Sequence, residues 1–145
     1  MGAQSKKQIL KESVSEDTWE KAHSRLKEQE AFEVLREFFD RVVDTLVDRI
    51  DDIGIHEEKA IWFLSRGREI LRINVGRSDL RIYLHPAAGA SFSPDAEFAV
   101  DRFRFWDGSF RKGSGKYHGM SFWLSEKREL PGAESILQHI PKTSE

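Results

Sequence analysis

Apolar residues recur at helical spacing through the first third of the chain and at strand spacing after it. Trp19, Ala22 and Leu26 lead into Phe32, Leu35, Phe38, Phe39, Val42, Val43, Leu46, Val47 and Ile50, and i, i+3, i+4 recurrence of this kind makes a wide apolar stripe along a helix. Ser13 or Ser15, followed by Glu16 and Asp17, offers an N-cap with acids in the first turn, where they complement the helix dipole. The pattern predicts helix over residues 15–53, as one rod or two, because Lys27 to Glu30 is polar without a clear breaker. Gly54 is placed to stop it. Residues 1–12 hold few apolar groups and are expected to fray.

From residue 60 the period shortens to two. Ala60–Leu64, Ile70–Val75 and Leu80–Leu84 are separated by the short glycine-containing linkers Ser65-Arg66-Gly67-Arg68 and Gly76-Arg77-Ser78-Asp79, which predicts an antiparallel meander. Pro86 ends it. Residues 86–97 read as a loop of small residues in which Pro94-Asp95 begins a single helical turn. Val100–Trp106 and Tyr117–Leu124 are two further strands, joined by a stretch holding Gly108, Gly113 and Gly115. A short helix is expected from Ala133 to Ile140, after Pro131-Gly132 and before Pro141. The resulting fold class is α+β, with a long N-terminal helix packed on an antiparallel sheet of about five strands and a short C-terminal helix. Residues 1–30 are a helical extension, residues 31–140 the domain and residues 141–145 a tail.

Composition narrows this little. A chain of 145 residues can bury a core without metal or disulfide staples, and the absence of cysteine excludes disulfides and thiolate metal sites. With a polar start and no apolar run near the ~18 residues of a membrane span, a cytoplasmic protein without a membrane partner is expected. Met1-Gly2 opens like a myristoylation signal, but Lys6 stands where Ser or Thr is wanted.

Charge changes the picture. The formal total of −2 hides a split: residues 31–58 hold nine acids against three bases, residues 59–85 six bases against two acids, and residues 100–128 seven bases against three acids. Strand alternation turns Leu71, Ile73, Val75, Leu80, Ile82, Leu84, Phe103, Phe105, Met120, Phe122 and Leu124 toward the helix. The other face then collects Arg72, Asn74, Arg81, Tyr83, His85, Arg102, Arg104, Trp106, Ser121 and Trp123. Arginines interleaved with aromatics suit stacked bases and neutralised phosphates. The competing arrangement has the N-terminal extension or residues 133–140 lying over that face, with the arginines snorkelling past a second core.

Other motifs carry less. Gly108-Ser109-Phe110-Arg111-Lys112-Gly113-Ser114 is similar to a phosphate-cradling loop, but that motif needs Lys where Ser114 stands and a helix rather than a strand behind it. It reads as a hairpin tip at which Arg111, Lys112 and Lys116 can touch an anion. His56-Glu57-Glu58-Lys59 begins like a zinc-protease helix and lacks the second histidine at Ala60. The acids Glu33, Glu37, Asp40, Asp44, Asp48 and Asp51 line one side of the helix as a solvated face. His118 is the one histidine placed at a loop edge to bind or transfer a proton, with a hydrogen-bonded structural role as the alternative. No nucleophile elbow is present, and no metal or cofactor is called for.

The order of a Phe32-Glu33-Val34-Leu35 helix, a strand at Ile61-Trp62-Phe63, the run Leu80-Arg81-Ile82-Tyr83-Leu84, Gly115-Lys116-Tyr117-His118-Gly119, Phe122-Trp123-Leu124-Ser125 and a terminal helix resembles a group of small bacterial domains of unknown function. These are loosely labelled predicted transport proteins, and some are attached to restriction-nuclease-like proteins. The resemblance spans about residues 30–140. It implies an α+β accessory domain of DNA-processing systems with no established activity. Lys116 and Tyr117 separate the glycine and histidine that those domains hold together, so no role carries over to His118.

Three functions follow in order of support. The first is a non-enzymatic binding module meeting nucleic acid or another anionic ligand through Arg72, Arg81, Arg102 and Arg104, with Tyr83, Trp106 and Trp123 stacking. The second is a homo-oligomer or protein-interaction module in which the N-terminal helix presents surplus apolar surface, Trp19 and Leu26 included. The third is an enzyme on a small anionic substrate, with His118 as acid or base.

Overall fold

The computed structural model describes residues 5–57 and 59–142; the Met1-Gly2 pair and most of the expected tail lie outside them. Three helices come first: α1 (Lys6–Glu12), α2 (Glu16–Arg25) and α3 (Gln29–Leu46). Ser5 and Ser15 cap the first two, their hydroxyls accepting from the Gln8 and Thr18 amides at 3.2 and 3.1 Å. Residues 6–12 are thus helical rather than frayed, and Leu10 is buried. The long helix expected over residues 15–53 is divided and shorter. Leu26 turns extended so that its side chain enters the core, and the next amide, on Lys27, donates to Arg77 O at 2.8 Å. A tertiary hydrogen bond and one buried leucine therefore break the helix where no glycine or proline stands.

Four strands follow as hairpins: β1 (Asp52–His56), β2 (Ala60–Ser65), β3 (Arg68–Val75) and β4 (Leu80–Leu84). Beyond a 3₁₀ turn at Pro86–Ala88 come β5 (Arg102–Phe105), the small hairpin of β6 (Phe110–Arg111) and β7 (Lys116–Tyr117), β8 (Met120–Leu124) and α4 (Leu130–Leu137). The sheet is antiparallel with six strands in the order β1-β2-β3-β4-β8-β5, so β8 sits between β4 and β5, pairing Ile82 with Phe122 and Phe122 with Phe103. The strand beyond the expected five is β1, and Gly54, expected to end a helix, is its middle residue. Gly54 faces Trp62, whose ring would lie 3.4 Å from a Cβ built there, so glycine leaves room for the indole to settle over β1. Pro94-Asp95 forms a turn closed by Ala96 N–H to Ser93 O rather than a helical turn, and α4 begins three residues earlier than expected, with Pro131 inside its first turn.

α1, α2 and α4 all pack on α3, which covers one face of the sheet. Phe38 meets Phe122 edge-on at 6.0 Å, and Phe39 bridges Trp19 and Phe63 at 5.1 and 5.7 Å. Leu10, Val14, Trp19, Ala22 and Leu26 join the same core. Arg49, at 5% exposure, donates through Nη1 to Ala88 O and Pro141 O, tying the end of the helical layer to the 3₁₀ turn and the C-terminal segment.

Candidate anion-binding sheet face

Alternation assigns the two faces as the sequence predicts. Leu71, Ile73, Val75, Leu80, Ile82, Leu84, Met120, Phe122 and Leu124 are buried beneath the helices. The buried apolar residues of the helices join that same core, and on the opposite face of the sheet Trp62, Arg72, Arg81, Tyr83, Trp106 and Trp123 are half-buried while Arg102 and Arg104 are exposed. Register brings these side chains into cross-strand rows: Trp62–Arg72–Tyr83–Ser121–Arg104, and beside it Asn74–Arg81–Trp123–Arg102.

The two rows interlock through cation–ring contacts. The Arg72 guanidinium lies 5.5 Å from the Trp62 ring centre and 5.8 Å from that of Tyr83; Arg81 lies between Tyr83 and Trp123 at 4.8 and 4.9 Å; Arg102 covers Trp123 at 4.4 Å. Such stacking is electrostatic and orders a side chain that otherwise keeps many rotamers. Arginine and aromatic residues thus alternate from β2 to β5 in one ladder. Two of the three rings predicted to stack on a ligand, Tyr83 and Trp123, already carry guanidinium groups of this chain, and the third, Trp106, packs against Tyr83 and His85, which leaves the N–H edges of the arginines as the main groups offered outward. Trp62, not singled out from sequence, is the first rung; its place opposite Arg72 was readable from the meander's alternation.

Two carboxylates sit in the ladder. Glu69 holds Arg72 with both oxygens, at 2.5 and 3.0 Å, and this hydrogen bond raises the arginine's pKa. Asp79 lies 3.5 Å from Arg102, whose side chain stays 63% exposed. No carboxylate pairs with Arg81 or Arg104 among the described residues, so positive charge remains in excess. Four buried side-chain nitrogens of the described residues lack a hydrogen-bond partner, and three of them, Trp62 Nε1, Arg81 Nε and His85 Nε2, belong to this face. Unsatisfied buried polar atoms of this kind are uncommon and costly in folded proteins.

Trp106 marks one end of the face. Its indole N–H donates to the buried Ser121 hydroxyl at 2.8 Å, and its ring lies over Gly119, where a Cβ would come within 2.9 Å of Cε3. His85 packs edge-on against that ring at 5.3 Å, with Nε2 3.2 Å from Glu69 Oε2 though not aligned for a hydrogen bond. Burial lowers the His85 pKa, a stronger effect than the Glu69 charge that raises it. The unfolded chain therefore takes up a proton more readily than the native one, so this histidine's contribution to stability is full above its ordinary value of 6.5 and is lost as pH falls below it. Denaturant titrations should show wild type losing more stability than His85→Gln between about pH 7.5 and 5; parallel losses would contradict a native-state preference for the neutral ring.

The remaining predicted residues lie elsewhere. Tyr117 of the small hairpin stacks on Phe105 at 5.0 Å, and Phe105 points to the helical side, so Lys112 and Lys116 project from a tip outside the ladder. His118 is hydrogen-bonded within the chain: Nδ1 meets Ala90 O at 2.9 Å and Nε2 lies 3.5 Å from Ser114 Oγ. Trp19 and Leu26, expected as surplus apolar surface for a partner, are spent inside the chain at 4% and 3% exposure. The acidic side of α3 is partly paired, Glu33 with Lys127 at 2.6 Å and Asp44 with Lys11 at 2.9 Å, and no group of three or more metal-ligating side chains gathers among the described residues. An open cleft of about 700 Å³ beside α2, lined by Asp17, Glu20, Lys27 and Arg77 among others, mixes both charges and shares no residue with the ladder. No helix of the described residues is long and apolar enough to cross a membrane. Comparison with protein-family models, with curated proteins and with solved structures finds no match.

Proposed function

We propose that this chain is a non-enzymatic binding module that holds the phosphate backbone of single-stranded nucleic acid on the arginine face of its sheet. The observation that carries the reading is the ladder: four arginines on one face, Arg102 and Arg104 exposed and three of the four set against aromatic rings, with Glu69 and Asp79 the carboxylates among the described residues that offset them. Acids are concentrated on the other layer, along α3, so a polyanion is steered to one side of the molecule. A broad sheet face cannot enter a duplex groove, which admits a helix or a two-stranded ribbon, whereas a single strand can lie across it. With the Trp62, Tyr83 and Trp123 rings engaged by arginines, phosphate contacts lead and sequence preference is weak. The accessory role in DNA processing implied by the resemblance agrees with this reading.

Fluorescence anisotropy with a labelled oligothymidine tests it. Neutralising two to four phosphates predicts a log–log salt slope of roughly −1.4 to −2.8, and Arg102→Ala with Arg104→Ala should reduce its magnitude by about 1.4. Circular dichroism should show the fold retained, since both side chains are exposed. Binding that ignores salt, or none at about 100 µM protein in low salt, would reject the proposal.

A further inference from the structure

We propose that β1 is a self-complementary edge through which two copies of this chain join into one continuous antiparallel sheet. The inference stands on the edge alone and does not need the anion-binding reading.

The six-stranded sheet has two edges, β1 and β5. Free edges present unpaired N–H and C=O groups, and natural proteins blunt them with charge, shortness or cover. When a strand pairs antiparallel with its own copy about a two-fold axis, directly opposite residues must point to the same face, so the axis passes through a residue and not between two. At β5 this rule defeats pairing. Centred on Phe103, Arg102 meets the second copy's Arg104; centred on Arg104, that arginine meets itself. Like charges directly opposite are destabilising, and this edge is four residues long.

At β1 the same rule favours pairing. Centred on Gly54, all five residues find partners: Asp52 faces the second copy's His56, Ile53 faces its Ile55, and the arrangement repeats on the other side of the axis. An imidazole N–H opposite a carboxylate is a hydrogen-bonding pair in either protonation state of the ring. Asp52 and His56 are exposed; Asp52 accepts from the Ile53 amide through Oδ1 at 2.9 Å, so Oδ2 is the oxygen it offers, and the His56 ring stacks on Trp62 at 5.8 Å on the same side of the sheet as Asp52. Ile55 is one of the few large apolar side chains left exposed, at 37%, although it points to the same side as the buried Ile53 and pairs in register with the buried Ile61. The second copy's isoleucines would supply the cover it lacks. Gly54 on the axis removes any side-chain clash at the closest approach. No proline, lysine or bulge protects this strand. A two-fold axis through Gly54 stands normal to the sheet, so both helical layers fall on one side and both arginine ladders on the other.

Sedimentation of the full chain from about 1 to 200 µM should show a reversible monomer–dimer equilibrium, as a short seam of this kind predicts micromolar affinity. His56→Glu sets two carboxylates against each other at each end of the seam, and Asp52→Lys removes the carboxylate that His56 needs; each should weaken the dimer about tenfold or more. Mixed in equal amounts, the two variants set the introduced glutamate against the introduced lysine at one end of the seam and keep the native Asp52 facing the native His56 at the other. The mixture should hold more dimer than either variant forms alone at the same total concentration. Recovery in trans cannot come from an effect on folding. Ile55→Lys should abolish the dimer with the circular dichroism spectrum unchanged. A monomer at every concentration, a dimer indifferent to these substitutions, or a mixture that stays monomeric would each overturn the proposal.

Discussion

Glu129→Ala should lower the unfolding free energy by about 3 kcal/mol or more, because it strips partners from three partly buried amides at once. At 1% exposure Glu129 is among the most buried charged residues of the chain. Its Oε2 accepts from Asp101 N at 2.9 Å, and its Oε1 accepts from Ser125 N and Glu126 N at 3.1 and 3.2 Å. The carboxylate thereby fastens the entry to β5 to the exit from β8, and it closes a capping box with Glu126 at the turn that leads into α4. In a chain of this size the loss corresponds to a fall of roughly 10 °C in thermal midpoint. Glu129→Gln keeps an acceptor oxygen and should recover part of it. Urea titrations of the three proteins check the order, and a cost below about 1 kcal/mol for alanine would show that water replaces the carboxylate. Because Asp101 precedes Arg102, the variant should also loosen the exposed end of the arginine ladder.

Gly132→Ala should destabilise the chain by about 2 kcal/mol, against the usual direction for glycine in a helix. Alanine normally gains about 1 kcal/mol there. At this position, however, a Cβ would sit 2.6 Å from the carbonyl carbon of Ala99 and 3.0 Å from its Cα. Both are backbone atoms, so α4 must move away from the segment that leads into β5, and overpacking of this kind costs about 1–3 kcal/mol or more. Gly113→Ala is the control, since nothing lies within 4 Å of a Cβ there, and it should change stability by less than about 0.5 kcal/mol. A Gly132→Ala protein as stable as wild type would mean that the helix relaxes without penalty.

Much of the sheet is legible along the chain, for local reasons. The hairpins β2–β3 and β3–β4 follow from short linkers holding glycine between alternating runs, and Gly67 does take the left-handed conformation its turn needs, at φ 77°. The opposed placement of Phe103 and Phe105 against Arg102 and Arg104 follows from the period of two. The helical region is less legible. Val47 and Ile50 continue the spacing of α3, yet the helix ends at Leu46, and Ile50 is buried from a turn whose amide still reaches Leu46 O at 3.0 Å. Ile53-Gly54-Ile55 is too short a run for alternation to stand out after such a helix. Glu69 and Asp79 were visible as residues, but not as the acids that lean onto Arg72 and Arg102, because their reach depends on how each turn folds back on the sheet.

The amino-acid order by itself determined that helices come first and strands after, which side chains each strand turns inward, and that the arginines share one face with aromatic rings. These are consequences of backbone periodicity, which acts over a few neighbours and is written directly in the spacing of apolar residues. Only the tertiary structure decided that β8 inserts between β4 and β5, that the N-terminal helices join the layer over the greasy side, and that arginines and rings stack on one another rather than standing free. Those outcomes depend on contacts between segments tens of residues apart, where many arrangements satisfy the local pattern and packing selects one.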